Sequence, residues 1–334
     1  MRIFISIFLT LCLLSGCNQT GNYQLPAEVM THRGALFFDD YEAAVDSLKE
    51  SFQNDNSNVE ALRLIAEFRI YQFIFGFEAR TNLLQEAKLY FNKSKILDST
   101  SARFFGLSGK LNFLDWNWQK AQSDFSKSLK LNPNDPDVRH WYCLWLMAMK
   151  RTDEALAHSD TVMMQDKSGN YLIARGSMFY FLEDFQQLEK LMIQAIDKDP
   201  QIPWSYDWLG MAYNGMQEHE KSIKTYIKAF EMSDGTVEVG GGLGHALGDA
   251  GEIELAKTMT NIYDSLSTNH YLPQVQRAFI HISMNEKEKA LKLLEQAYER
   301  KSWFLAFIQI EHWYNPIRKE KRFQDIITNM NFPH

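Results

Sequence analysis

Residues 203–236 read PWSYDWLGMAYNGMQEHEKSIKTYIKAFEMSDGT, and this stretch decides the fold. Apolar residues recur at helical spacing on both sides of a polar turn around Gln217 and Glu218. Gly210 and Ser222 are small and twelve residues apart; Tyr226 and Ala229 follow four and seven residues after Ser222. Two short amphipathic helices joined by that turn satisfy this pattern, and neither could bury its apolar face alone.

Outward from this stretch the pattern returns. Small or apolar anchors equivalent to Ser222 fall at Ala44, Ala87, Ala121, Ala155, Leu188, Ala256 and Ala290, so that successive spacings are 43, 34, 34, 33, 34, 34 and 34. Twelve residues before the anchors stand Gly109, Cys143, Gly176, Gly210, Gly244 and Ala278. Four after them come Leu48, Phe91, Phe125, Met192, Tyr226 and Leu294, with Ser159 and Thr260 as exceptions. Pro133 and Pro200 stand twelve after two anchors, where a helix has to stop. The period and its positions resemble the tetratricopeptide repeat. The resemblance implies an all-α, right-handed superhelical solenoid of about eight helix pairs. Its repeats run 25–58, 59–101, 102–135, 136–168, 169–202, 203–236, 237–270 and 271–304, the first degenerate and the second carrying about nine extra residues around Ile70 to Thr81. The organisation expected is a signal segment at 1–16, a tether at 17–25, the solenoid at 26–304 and a C-terminal cap at 305–334. The cap is amphipathic and is expected to cover the apolar face of the last repeat. Residues Leu272 to Asn331 are also similar to the closing segment of repeat regions in bacterial signalling proteins, a likeness that transfers no activity.

The start of the chain reads as an address. Arg2 precedes an apolar stretch, Ile3 to Leu14, that is too short for a permanent membrane span, and Leu14-Ser15-Gly16-Cys17 follows. The quartet resembles the bacterial lipobox, which implies cleavage before Cys17, a diacylglycerol thioether on its thiol and further acylation of the new amine with palmitate-type chains. Each buried methylene contributes about 0.8 kcal/mol, so several chains together hold firmly. Asn18, where inner-membrane retention signals carry Asp, implies an outer-membrane lipoprotein facing the periplasm. Cys143 is then the only free thiol of the mature chain, and its setting among Trp141, Tyr142, Leu144 and Trp145 predicts a buried, unreactive one.

Composition narrows the rest. The 334 residues are 45% hydrophobic and 23% charged, enough to bury a continuous core. With 35 Lys+Arg against 42 Asp+Glu the formal charge is -7, and no basic stripe suited to nucleic acid appears. No histidine pair has metal-ligand spacing, so no metal and no cofactor is expected. Nothing resembles a nucleophile elbow, and no enzyme is expected. Glycines 240, 241, 242 and 244 lack the Lys-Ser or Lys-Thr of a phosphate loop; close helix packing or a bend is the plainer reading, backbone approach to a ligand the sharper one. Asp39-Asp40 and Glu183-Asp184 read as turn residues serving helix starts. Arg318 to Arg322 is basic but interrupted by Glu320, and reads as a solvated helix face.

In the repeat family, ligands lie in the concave groove lined by first helices. The matching positions here include Arg103, Lys110, Phe113, Asp137, His140, Leu144, Met147, Ile173, Tyr180, Trp204, Asp207, Met211, Asn214 and His245. The lysine and asparagine pattern that clamps a terminal carboxylate in chaperone-type members is missing. The reading that follows is a membrane-anchored scaffold whose open groove binds an envelope protein or peptide. Its alternative is a small-molecule or glycan-binding lipoprotein that feeds a transporter or sensor, with a closed aromatic pocket near Trp204, Trp208 and the glycine run.

Overall fold

The computed structural model describes residues 38–74, 82–165, 168–233, 237–266 and 273–333. All of them lie in one compact unit, His32–His334. The expected signal segment and tether, with Cys17, lie outside the described residues, as do 75–81 of the second repeat. Sixteen α-helices and no strand occur among the described residues. In chain order they are α1 (Phe38–Asn54), α2 (Val59–Ile74), α3 (Leu83–Leu97), α4 (Ala102–Leu114), α5 (Trp118–Leu131), α6 (Pro136–Ala148), α7 (Thr152–Gln165) and α8 (Gly169–Phe181). There follow α9 (Phe185–Lys198), α10 (Pro203–Gly215), α11 (His219–Met232), α12 (Val237–Asp249), α13 (Ile253–Leu266), α14 (Gln274–Ser283), α15 (Lys287–Glu299) and α16 (Lys321–Asn329). Two short 3-10 turns, Trp303–Phe307 and His312–Tyr314, lie between α15 and α16. Asp39 and Asp40 belong to the first turn of α1 rather than to an inter-helix loop.

Local chemistry sets the helix ends. Ser101 and Asp135 accept hydrogen bonds from backbone N–H groups of α4 and α6, and Pro136 and Pro203 stand in first turns. Within each pair the turn repeats one conformation. Trp116, Lys150, Glu183, Gln217, Gly251 and Asn285 all have positive φ. In each case the next residue donates its N–H to the carbonyl five positions back, at 2.8–2.9 Å, which closes the first helix with a Schellman-type bond. Only Gly251 is free of the steric cost of that conformation.

Second helices lie against first helices of the same pair and of the next one, as in α10 with α11 and α11 with α12; first helices also meet along the stack, as in α4 with α6 and α10 with α12. Small residues set these distances. A Cβ on Gly210 would fall 2.8 Å from Tyr226 Cδ2. Glycines of α12 do the same toward α14: a Cβ on Gly241 or Gly244 would fall 2.6 Å from Gln276 or Ile280, and one on Gly248 closer still to Ser283 Oγ. Close packing is therefore what these glycines serve. Cys143 is fully buried, its Sγ donating to the Ala155 carbonyl, and burial pushes the thiol up to about 12.

Candidate functional site

The candidate groove residues do line the first helices, but they divide into two sets. Lys110, Phe113, Met147, Tyr180, Asp207, Asn214 and His245 are buried, whereas His140, Leu144, Ile173, Trp204 and Met211 are half-buried. Lys110 shows why charge can sit inside. Its Nζ donates to Glu67 Oε1 at 2.8 Å and Asp137 Oδ2 at 2.5 Å, and lies 5.7 Å from the ring centres of Tyr71 and Trp141. Tyr71 donates to the other oxygen of Asp137, and Arg103 reaches Glu67 at 3.1 Å and Glu60 at 2.7 Å. A buried cation needs such partners, because desolvation otherwise costs several kcal/mol. Charges on α2, α4 and α6 are thus satisfied within the chain.

The deeper part of the concave face is filled by the chain's own C-terminal segment. Phe307 lies 6.4 Å from Phe113 and stacks on Phe181 at 5.0 Å. Glu311 accepts hydrogen bonds from Tyr180 Oη at 2.8 Å and from the Trp313 N–H at 3.0 Å. Trp313 stacks on His245, centroids 3.8 Å apart and planes at 11°, with Phe279 edge-on at 4.9 Å. Trp303 Nε1 donates to the Ile74 carbonyl, and Trp118 Nε1 to that of Met330, while Phe332 stacks on Trp118. The segment expected to cover only the last repeat also runs back along α2, α5, α8 and α12, and it replaces the open groove there. Beyond it, α16 packs on α15, where Arg322 holds Glu295 and Glu288.

Burial shifts the ionisable groups of this interior. It raises Glu311 to about 7, against the opposing hydrogen bonds from Trp313 and Tyr180, and raises Asp207 to about 7 with no opposing cation. Burial lowers His245 to about 4, with Asp249 opposing, and His312 to about 4. Asn214 donates to Asp249 at 2.9 Å. Glu67, the second repeat's equivalent of Lys110, joins the interior, as do Tyr71, Phe307, Glu311 and Trp313, which are not groove positions of the repeat. The only signal for the last three is the density of aromatic residues after Ser302.

Known proteins share this architecture. Residues 205–235 match the tetratricopeptide repeat. The helical stack superposes on the APC/C hetero-tetramer Cut9-Hcn1 with a TM-score of 0.61 at 14% identity, over 91% of this chain and 54% of that one. The fold is that of a tetratricopeptide-repeat solenoid. The chain spans about half the length of the Cut9-Hcn1 chain it matches. A tetratricopeptide repeat protein from Parabacteroides merdae is similar over 80% of this chain and 98% of its own length, with a TM-score of 0.51 and 11% identity. At these identities the likeness is one of fold alone.

Proposed function

We propose that this solenoid is a lipid-anchored scaffold of the bacterial cell envelope that binds a protein or peptide and holds it near the membrane. The observation that carries the reading is the strip of half-buried side chains His140, Leu144, Ile173, Trp204 and Met211 on the consecutive first helices α6, α8 and α10. Mixed aromatic, aliphatic and thioether surface of this kind suits a helical or extended peptide. Anchoring is read from Leu14-Ser15-Gly16-Cys17, with the lipid on Cys17 and an outer-membrane address facing the periplasm. In this reading the solenoid is not an enzyme, needs no cofactor and takes no nucleic acid.

The test places a photo-crosslinking residue in intact cells at Trp204 and, as a buried control, at Phe113. A defined envelope protein crosslinked from the first position and not the second is the expected result. No product above background at Trp204, Met211 or Ile173 would remove the scaffold reading. Separately, Cys17→Ala is expected to move the chain from the membrane to the soluble fraction; an unchanged distribution would remove the lipid anchor.

A further inference from the structure

We propose that Asp207 anchors a cation-reading site on the concave side of α10, which takes the lysine or arginine side chain of a bound peptide; this rests on the peptide-binding reading above. Charged groups elsewhere on the first helices have partners in the chain: Lys110 has Glu67 and Asp137, Arg103 has Glu60 and Glu67, Arg63 has Asp98, and the buried Arg139 has His158 and the Pro133 carbonyl. Asp207 differs. It is 5% exposed, and among the described residues nothing donates a hydrogen bond to its Oδ1. Carboxylates are almost never buried in that state, because losing water without a partner costs more than most folds tolerate.

A second orphan lies in the same interior. The Tyr226 hydroxyl is fully buried and also without a hydrogen-bond partner, and it feels the charge of Asp207. It has little freedom to find a partner elsewhere, since its ring is held between Gly210 and Gly242, where added Cβ atoms would fall 2.8 and 2.5 Å from it. The other groups acting on this hydroxyl are Glu311, from the C-terminal segment, and Asp249, from α12, and both are acidic. Among the described residues no cation acts on Asp207 or on the Tyr226 hydroxyl.

Two half-buried neighbours of Asp207, which pack against the same core cluster as Tyr226, have the matching chemistry. Trp204 and Met211 stand three residues before it and four after it, on one face of α10, and both are half-buried. An indole and a thioether flanking a carboxylate suit an alkyl stem that ends in a cation. A guest ammonium would give Asp207 the counter-ion that Lys110 gives Asp137.

The experiment uses the full chain and three probes: n-butylamine, a tetra-lysine peptide and a tetra-glutamate peptide. Binding is read from the carboxyl carbon shift of Asp207 and from tryptophan fluorescence. Both amines are expected to bind saturably, the glutamate peptide not at all. Because Asp207 must ionise to bind, affinity should rise about tenfold from pH 6 to pH 8, where an amine keeps its charge. D207N should lose the response, whereas E311Q, which removes the other carboxyl titrating near 7, should keep it. Met211→Lys supplies an internal ammonium one turn away, and should lower the Asp207 titration and block butylamine. Equal binding by D207N, a pH dependence abolished by E311Q instead, or no saturable amine binding would overturn the site. Butylamine binding without tetra-lysine binding would leave the cation site and remove the peptide reading. An unchanged crosslink from Trp204 in D207N would do the reverse.

Discussion

Asp207 and Glu311 are buried carboxyls that titrate near 7, while His245 and His312 are buried imidazoles that titrate near 4. The carboxyls hold their protons more tightly folded than unfolded, where the ordinary values are 3.8 and 4.5. Their contribution to stability is therefore full below those values and lost as pH rises toward 7. The imidazoles hold theirs less tightly than the ordinary 6.5, so their contribution is full above 6.5 and lost as pH falls toward 4. Between about 4.5 and 6.5 the two slopes offset, and the alkaline limb above that belongs to the carboxyls. D207N removes one of them, and should gain about 1–3 kcal/mol on the wild type between pH 5 and pH 8. Urea melts at the two pH values measure this directly. A D207N protein that lost ground over that interval would mean that Asp207 is ionised and paired in solution.

Within single helices the informative residues are those that contradict helix propensity. Propensity alone says that Gly241→Ala should stabilise α12 by about 1 kcal/mol. The added methyl, however, would stand 2.6 Å from Gln276 Cβ and 3.1 Å from its Cα, and backbone cannot give way as a side-chain tip can. We expect Gly241→Ala to destabilise by about 1–3 kcal/mol, as overpacking does, in thermal or urea unfolding. The turns between paired helices give the opposite case. Gln217 is exposed and holds φ 61°, so Gln217→Gly should stabilise by about 0.5–1 kcal/mol, whereas Gly251→Ala, at φ 81°, should cost about as much. A neutral result at both would mean that the left-handed turn carries no strain. This scale also separates what the sequence makes legible from what it does not. Ala121, Ser222 and Tyr226 repeat at one period and so announce helices, crossings and turns. Phe307, Glu311 and Trp313 belong to no period, and their partners Phe113, Tyr180 and His245 lie far back in the chain; Tyr180 and Glu311 are 131 residues apart. Periodicity reports only contacts between neighbouring repeats. It therefore assigned Lys110, Tyr180 and His245 to a surface that the chain itself covers.

Across the whole molecule those distant contacts change how the stack should unfold. A plain helical-repeat array is quasi-one-dimensional: each repeat touches only its neighbours, and stability is a sum of local terms. Here Trp303 ties to Ile74 across 229 residues and Trp118 to Met330 across 212, while Trp116 stacks on Tyr298 at 5.7 Å. These ties couple α2 and α5 to the end of the chain, so losing the last helices exposes apolar surface on the first ones as well. The full chain should consequently unfold in urea as one transition, with helical ellipticity and tryptophan fluorescence coincident. Ending the chain after Ser302 removes every one of these ties except Trp116 on Tyr298, and the transition should broaden, the two probes separate and the apparent m-value fall. Truncation also uncovers α15, so the double variant Trp303→Ala with Phe307→Ala is the sharper instrument: it leaves the residues of α16 untouched and cuts the ties of these two rings to α2, α4 and α8. If that variant kept coincident probes and an unchanged m-value while losing stability, the C-terminal segment would be local packing, and the cooperativity of the solenoid would come from its repeat interfaces alone.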